Sequence, residues 1–212
     1  MVKINLENIR AYFGETLETY GATPKGVDYN SEGSQVSRFE QLMKVADFSE
    51  PFSILDFGCG YGALIDYLFT RTDQFLYTGY DISQEMIEKG RYIHPDRSNC
   101  LFTTQATDLQ PVDYVVESGI FNKLFADKYE TWTEYVLQTL SQMNELSKKG
   151  FSFNLLTRYS DPDRMRPDLY YADPCFYFDY CKRTFSRNVA LLHDYGLYDF
   201  TILVRKLDEG KK

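Results

Sequence analysis

The sequence is poor in the residues that build metal sites and disulfide frameworks. Its 212 residues include four cysteines and two histidines. No two cysteines have the C-x-x-C spacing of a zinc site, so we expect no metal centre. In a reducing compartment such thiols stay free.

Long apolar runs and an excess of basic residues are also missing. No run approaches the ~20 apolar residues that span a bilayer, and residues 1–7 lack the apolar core of a secretory signal. The chain has 23 Lys and Arg against 31 Asp and Glu, a formal net charge of −8. Nucleic-acid binders usually present a basic face. We therefore expect a cytoplasmic protein with neither a membrane nor a nucleic-acid partner.

What the sequence does contain is typical of one globular domain over residues 1–212. Hydrophobic residues make up 43% and charged residues 25%, a composition that can bury a continuous core at this length. Short apolar runs alternate with amphipathic stretches, which predicts an α/β fold with a mostly parallel sheet and helices on both faces. Strands are predicted over 52–57, 75–81, 101–106, 112–117, 151–156, 188–193 and 198–204. Helices are predicted over 63–69, 83–92 and 129–148, the last stopped by Gly150. The short 194–197 connection indicates a closing hairpin, so the last strand should be antiparallel.

Two segments lie outside this skeleton. Residues 1–48 precede the first strand and include a predicted amphipathic helix around 35–45. Residues 158–187 interrupt the return from the fifth strand to the sixth, at the sheet edge where ligands bind in open α/β folds. Long excursions at such positions are usually functional. We expect an N-terminal helical lid over 1–48 and a substrate-side insertion over 158–187.

The stretch 54–62, Ile-Leu-Asp-Phe-Gly-Cys-Gly-Tyr-Gly, carries most of the functional information. A strand that ends in G-x-G-x-G and leads into a helix brings the backbone close to a ligand. Asp81 follows Gly58 by 23 positions (81 − 58), about where an acid meets ribose hydroxyls. A nicotinamide fingerprint would prefer G-x-G-x-x-G. Asp56, two positions before the first glycine, disfavours a diphosphate and favours a cationic ligand head.

These residues resemble the motifs of class I S-adenosylmethionine-dependent methyltransferases. The 54–62 stretch is similar to their first motif and Tyr80-Asp81-Ile82-Ser83 to their second. Thr107-Asp108-Leu109 lies where the family places an acid near adenine, and the 111–119 stretch resembles the fourth motif, which faces the transferred methyl. The resemblance covers about residues 50–157 and 188–206. It implies a Rossmann-like three-layer sandwich with a seven-stranded sheet, and S-adenosyl-L-methionine as cofactor.

The resemblance also implies a set of cofactor-binding residues. They are Asp56, Gly58, Cys59, Gly60, Tyr61, Asp81, Ile82, Asp108, Leu109, Glu117 and Ser118, with Tyr29 and Arg38 from the leading segment. In related small methyltransferases that segment folds over the methionine end, where Arg38 could pair with the carboxylate. Other interpretations stay open: Asp56 as a turn cap, Asp81 as a solvated acid, Asp108 as a turn residue, Cys59 as a spacer and Arg38 as a surface arginine.

Methyl transfer from a sulfonium is an in-line displacement, so the protein's main task is to position the acceptor. Tyr61, Phe121 and the tyrosines of residues 158–187 are candidates to face the sulfonium. His193, after the sixth strand, has a suitable pKa for a general base, although it could equally be a structural histidine. His94, before Pro95, is expected at the surface.

Three arginines give the best clue to the acceptor. Arg158, Arg164 and Arg166 could clamp an anionic substrate, unless their acidic neighbours neutralise them. The stretch 117–120, Glu-Ser-Gly-Ile, lacks the Asn/Asp-Pro-Pro-aromatic signature of amino-methylating enzymes of bases and of protein glutamine. The resulting hypothesis is methyl transfer to an oxygen or nitrogen of a small polar, anionic or saccharide-type metabolite. The alternatives are an NAD-dependent oxidoreductase, a catalytically silent binding subunit of the same fold, and a protein-methylating enzyme.

Overall fold

The computed structural model describes residues 4–95, 97–125 and 127–206. The strands within these ranges are β1 (Phe52–Phe57), β2 (Phe75–Tyr80), β3 (Cys100–Thr103), β4 (Val112–Glu117), β5 (Ser147–Thr157), β6 (Tyr171–Ala172), β7 (Asn188–Leu192) and β8 (Asp199–Arg205). The α-helices are α1 (Leu6–Tyr20), α2 (Glu32–Leu42), α3 (Ala63–Phe69), α4 (Gln84–Ile93), α5 (Tyr129–Leu146) and α6 (Pro174–Thr184).

One sheet organises these elements. Seven strands lie in the order β3-β2-β1-β4-β5-β8-β7, and the two-residue β6 pairs with β5. The pairs of β1, β2, β3, β4 and β5 along this order are parallel, whereas β8 is antiparallel to both β5 and β7. The predicted seven-stranded sheet with a reversed last strand is confirmed, with β6 as a small addition.

Helices cover both faces of the sheet. Leu42 of α2, Ile65 of α3 and Ile87 of α4 are fully buried in one core cluster. Trp132 of α5 and Cys181 of α6 are fully buried in a second cluster. Because the β-strands alternate their side chains between the two clusters, the three-layer sandwich is confirmed.

The third and fifth strands differ most from their predicted boundaries. The third strand ends at Thr103 rather than near residue 106, since the chain turns into a 3-10 helix over Ala106–Asp108. Gly150 does not stop α5; it lies inside β5, where an added Cβ would be 2.5 Å from the carbonyl oxygen of Val204. The glycine is therefore a requirement of close strand packing.

The leading segment contains two helices rather than one. The side chain of Asn5 accepts hydrogen bonds from the backbone amides of Glu7 and Asn8 and so caps α1. A short 3-10 turn, Pro24–Val27, joins α1 to α2. The helix predicted around 35–45 is α2, shifted a few residues toward the N-terminus.

The 158–187 excursion is an ordered part of the fold. Asp173 caps α6 by accepting hydrogen bonds from the amides of Cys175 and Phe176. The hydroxyl of Tyr170 lies 2.8 Å from that of Tyr177 and 2.7 Å from Thr133 Oγ1 on α5. This buried hydroxyl chain attaches the excursion to the helical layer.

Candidate functional site

A cavity of about 950 Å³ opens at the carboxyl ends of β1, β2 and β4. The strand ends and their loops contribute Gly58, Gly60, Asp81, Ile82, Ser118 and Gly119 to its wall. Helix α1 contributes Leu6, Ile9, Arg10 and Phe13. Helix α5 contributes Tyr135, Gln138, Thr139, Ser141, Gln142 and Glu145. The cavity therefore lies between the glycine loop below and two helices that enclose it.

Backbone conformation and close packing explain the glycines of the 58–62 loop. Gly58, Gly60 and Gly62 have φ values of 85°, 54° and 84°, a region that favours glycine. An added Cβ at Gly58 would lie 2.1 Å from Ile120 Cγ2, and one at Gly60 would lie 3.0 Å from Val27 Cγ1. The loop is thus held against the segment after β4 and against the turn after α1.

Asp81 is oriented by the glycine loop itself. Its Oδ2 accepts a hydrogen bond of 2.8 Å from the amide of Gly60, and its Oδ1 accepts one of 2.9 Å from the amide of Ser83. Burial raises the pKa of the Asp81 carboxyl, although these amides oppose the shift. Each oxygen retains a further lone pair, so a carboxylate held at the cavity wall can accept hydrogen bonds from a ligand's hydroxyl groups.

Asp56 and Cys59 lie behind the loop rather than on the cavity wall. The hydroxyl of Tyr77 donates a 2.8 Å hydrogen bond to Asp56 Oδ2, and burial raises the pKa of this carboxyl to about 7. Cys59 is buried, and its Sγ would be 2.9 Å from a Cβ added at Gly79. Burial also raises the pKa of its thiol, so Cys59 occupies a packing position.

The segment after β4 forms the opposite wall. Glu117 is fully buried, and its Oε1 accepts a 2.7 Å hydrogen bond from the amide of Ile120. Burial raises the pKa of Glu117 well above its usual range. Its carboxyl is therefore turned onto its own loop, whereas Ser118, Gly119 and Ile120 reach the cavity.

Several predicted site residues lie away from the cavity. Asp108 is exposed and accepts a hydrogen bond from Thr103 Oγ1 at 3.2 Å, while Leu109 is buried in the core; their neighbour Ala106 lines the cavity instead. Tyr61 is buried, and Phe121 packs in the core against Phe153. The aromatic side chains that line the cavity are Phe13, Phe57, Tyr80 and Tyr135.

The structure pairs Arg38 with Asp199 rather than leaving it free for a ligand carboxylate. Nε and Nη2 of Arg38 contact the two carboxylate oxygens of Asp199 at 3.1 and 2.5 Å, and both side chains are buried. Asp199 lies 161 positions further along the chain. This distant partner replaces both interpretations of Arg38, because the side chain is neither at the surface nor in the cavity wall.

The two histidines also differ from expectation. His193 is exposed, follows the edge strand β7 and contacts Tyr159 and Phe200, so it is outside the cavity. His94 is buried rather than exposed, and its ring stacks on Phe102 with centroids 6.2 Å apart.

Two of the three excursion arginines are paired with aspartates. Arg158 is paired with Asp173 at 2.8 Å, and Arg166 contacts both oxygens of Asp168 at 3.0 and 2.6 Å. Arg164 ends the exposed 3-10 turn Pro162–Arg164. The acidic neighbours neutralise two of the three, which was the alternative to an anion clamp.

Sequence reasoning missed the helical walls of the cavity. Gln138, Gln142 and Glu145 recur at helical spacing on one stripe of α5, a polar signal on a helix that otherwise reads as buried. Arg10 of α1 reaches the loop after β2, where its Nε donates a 3.1 Å hydrogen bond to the carbonyl of Ile82.

The structure also bears on metals and membranes. Within the described ranges, no group of three or more His, Cys, Asp or Glu side chains is placed to hold a metal ion. None of the helices in those ranges is long and apolar enough to cross a membrane.

Comparison with known proteins gives consistent matches. Residues 55–150 match the family described as "Methyltransferase domain". The chain is 51% identical over 164 residues to Rv1506c of Mycobacterium tuberculosis (strain ATCC 25618 / H37Rv), whose curated name places it among methyltransferases; the match covers 77% of this chain and 99% of that protein.

Two solved structures illustrate the likeness of fold. Magnesium protoporphyrin IX methyltransferase (ChlM) from Synechocystis PCC 6803, with bound SAH, superposes with a TM-score of 0.67 at 16% identity, over 95% of this chain and 100% of that one. The N-terminal domain of EvdMO1, in the presence of SAH and D-fucose, superposes with a TM-score of 0.57 at 14% identity, over 95% and 97% of the two chains.

Proposed function

Because the chain belongs to the class I S-adenosylmethionine-dependent methyltransferases, we propose that it methylates an oxygen or nitrogen atom of a small polar metabolite or saccharide-type intermediate. The family uses S-adenosylmethionine, which supplies an electrophilic methyl group on a sulfonium. Membership of this family replaces the nicotinamide-dependent oxidoreductase as an interpretation of the glycine loop.

The carboxylate of Asp81 carries the cofactor part of this proposal. Its position at the end of β2, fixed by the amides of Gly60 and Ser83, suits it to accept hydrogen bonds from the two ribose hydroxyls. The loop at Gly58 and Gly60 would let the ligand approach the backbone, and Ser118, Gly119 and Ile82 would complete the contact. Asp56 would act from behind the loop, through its charge on the cofactor's ammonium group.

The size of the cavity supports a small acceptor. Its volume of about 950 Å³ lies at the upper end of the range of small-ligand pockets, and the α1 side chains in its wall support a role for this helix as a lid. The net charge of −8 opposes a nucleic-acid acceptor. The presence of D-fucose in the EvdMO1 structure supports the saccharide class.

Methyl transfer asks the protein to align donor and acceptor and to exclude competing water. The residues of α1 and α5 in the cavity wall are suited to that task.

Because His193 lies outside the cavity, it has no proposed role as a base. The pairing of Arg158 and Arg166 with aspartates likewise gives no reason to require an anionic acceptor.

The four free cysteines suit a reducing compartment and support a cytoplasmic location.

Calorimetric titration with S-adenosylmethionine, S-adenosylhomocysteine and NAD tests the cofactor assignment. We expect both sulfur nucleotides to bind the wild type and Asp81→Ala to weaken them about 100-fold, as expected for losing charge-assisted hydrogen bonds to two hydroxyls. Asp73→Ala is the matched control, because Asp73 is an exposed acid before the other end of the same strand. Equal affinity in the Asp81 and Asp73 variants would contradict the role of Asp81.

A turnover screen then tests the acceptor class. Formation of S-adenosylhomocysteine is followed with free sugars, sugar nucleotides, small amines, a basic peptide and RNA. Turnover with a sugar or another small metabolite alone supports the proposal. Turnover with the peptide or with RNA contradicts the small-molecule class, and cofactor binding without turnover on any acceptor favours a catalytically silent subunit.

A further inference from the structure

The hydroxyl of Tyr29 forms a closed set of hydrogen bonds with the cavity wall. Tyr29 Oη donates to the carbonyl oxygen of Ser118 at 2.9 Å and lies 2.7 Å from Ser118 Oγ. Asn154 Nδ2 donates to the same Oγ at 3.1 Å. Since the phenol's one proton goes to the carbonyl, the hydroxyl of Ser118 donates to Tyr29 and accepts from Asn154, so each proton in the set has one acceptor.

Arg38 holds the Tyr29 ring in this position. Its guanidinium carbon lies 4.8 Å from the ring centroid, while Nε and Nη2 are fixed by Asp199 and Nη1 donates to the carbonyl of Ser34 at 2.9 Å. A planar cation fixed at all three nitrogens is a rigid support for an aromatic face. The support links β8 and α2 to the segment after β4.

The approach of Tyr29 depends on a glycine in the wall. Gly119 has a φ of 96°, and an added Cβ there would lie 2.8 Å from Tyr29 Oη. Tyr29 is 9% exposed and does not line the cavity, whereas Ser118 and Gly119 do. Tyr29 can therefore affect a ligand in the cavity only indirectly, through Ser118 and Gly119.

We infer that Tyr29 is a positioning residue for methyl transfer: it fixes the Ser118–Gly119 wall of the cofactor cavity through its hydrogen bonds to Ser118, and the Arg38–Asp199 pair fixes Tyr29. This inference rests on the proposed function, because it takes the cavity as the cofactor site. It changes the sequence-based expectation for Tyr29 and Arg38 from direct cofactor contact to action through Ser118.

Tyr29→Phe removes the hydroxyl and keeps the ring, and Tyr195→Phe is the matched control. Tyr195 is also a partly buried phenol, with its hydroxyl 3.0 Å from Thr201 Oγ1, and it does not line the cavity. Hydrogen–deuterium exchange over residues 115–124 reports the state of the wall, and calorimetry with S-adenosylhomocysteine reports its consequence. We expect Tyr29→Phe to speed exchange in that segment and to weaken binding about tenfold, with saturating ligand restoring the protection. Tyr195→Phe should change neither.

Unchanged exchange and unchanged affinity in Tyr29→Phe would overturn the inference. Weaker binding with unchanged exchange would overturn it too, since Tyr29 would then contact the ligand directly. Arg38→Lys, which keeps the charge without the planar fork, should give a smaller shift in the same direction in both measurements. If the wild type binds no S-adenosylhomocysteine, the proposed function fails, while the exchange comparison in the free protein still decides whether Tyr29 holds the wall.

Discussion

Beneath the glycine loop, the hydroxyl of Tyr77 donates a 2.8 Å hydrogen bond to the carboxyl group of Asp56. Asp56 is 5% exposed, and burial raises its pKa from 3.8 to about 7, even though the bond from Tyr77 lowers it; the charge of Asp81 raises it further. A carboxyl whose pKa is raised to about 7 couples the stability of the folded protein to pH near neutrality.

The first prediction concerns the pH dependence of stability. Because the folded state holds the Asp56 proton more tightly than the unfolded state, this contribution is present at low pH and is lost as pH rises from about 4 to about 7. Asp56→Asn should remove this pH dependence of the free energy of unfolding. Urea denaturation measures the free energy of unfolding at pH 5 and pH 8. Between these two pH values, the free energy of unfolding of the variant should rise relative to that of the wild type by an amount on the order of 3 kcal/mol.

Asp113→Asn provides a control of opposite sign. Burial alone would raise the pKa of Asp113, but hydrogen bonds from Ser53 and the charge of Lys149 lower it. Removing that carboxylate should cost stability above about pH 4 and not below it. If both variants respond alike to pH, the slope is not a property of Asp56.

The second prediction concerns cofactor binding. In the role proposed for Asp56, the ammonium group of S-adenosylhomocysteine stabilises its ionised form, so binding near pH 7 should release up to one proton and strengthen from pH 6 to pH 8. Calorimetry in two buffers of different ionisation enthalpy counts the protons. 5′-Methylthioadenosine, which shares the nucleoside and lacks the amino acid, should release none. Asp56→Asn should bind S-adenosylhomocysteine with an affinity that no longer depends on pH in this range; persistence of the pH dependence would assign it to another group.

Local signals were sufficient for the sheet and for the floor of the site. Strands β1 and β4 and helix α3 were predicted at their observed boundaries, and the loop geometry of Gly58 and Gly60 follows from a pattern of adjacent residues. Ser83 caps α4 by accepting a hydrogen bond from the amide of Met86, a contact that is also local in sequence.

Long-range pairing was not predictable from the same patterns. The partner of Arg38, Asp199, lies 161 residues away, and no local pattern relates the two positions. The aspartates that neutralise Arg158 and Arg166 were visible as neighbours, but their geometry was not.

Helix α6 did carry a local signal, Asp173 followed by Pro174, which matches an N-cap followed by proline at the first helical position.

A third prediction tests whether α1 is a lid. Lys123 Nζ lies 2.8 Å from Asp168, 3.8 Å from Asp28 and 4.2 Å from the centroid of the Tyr12 ring. It thus joins α1 to the turn after it and to the 158–187 excursion. Lys123→Met should loosen this junction, so we expect faster exchange in α1 and a several-fold faster dissociation of S-adenosylhomocysteine, measured by stopped flow.

Lys149→Met is the control for that experiment. Lys149 also combines an ion pair, 3.4 Å to Asp113, with a ring contact, 5.9 Å to Tyr114, but it lies at the opposite edge of the sheet from the cavity. It should leave the dissociation rate unchanged. Equal rates in both variants and the wild type would show that α1 does not need the Lys123 junction to retain the ligand.

The fourth prediction concerns His94, which is 6% exposed with both ring nitrogens lacking a hydrogen-bond partner within the described ranges. Burial lowers its pKa, and the charge of Arg97 lowers it further, although Asp66 opposes the shift. The unfolded state therefore binds the proton first, and stability attributable to His94 is lost as pH falls below about 6.5.

His94→Phe keeps a ring against Phe102 and removes two unsatisfied polar atoms, so at pH 7.5 it should be as stable as the wild type or more stable. Between pH 7.5 and pH 5.5 the melting temperature of the variant should fall less than that of the wild type, because the variant has no imidazole to protonate. A variant that loses stability in parallel with the wild type over this range would show that His94 is not the group that titrates.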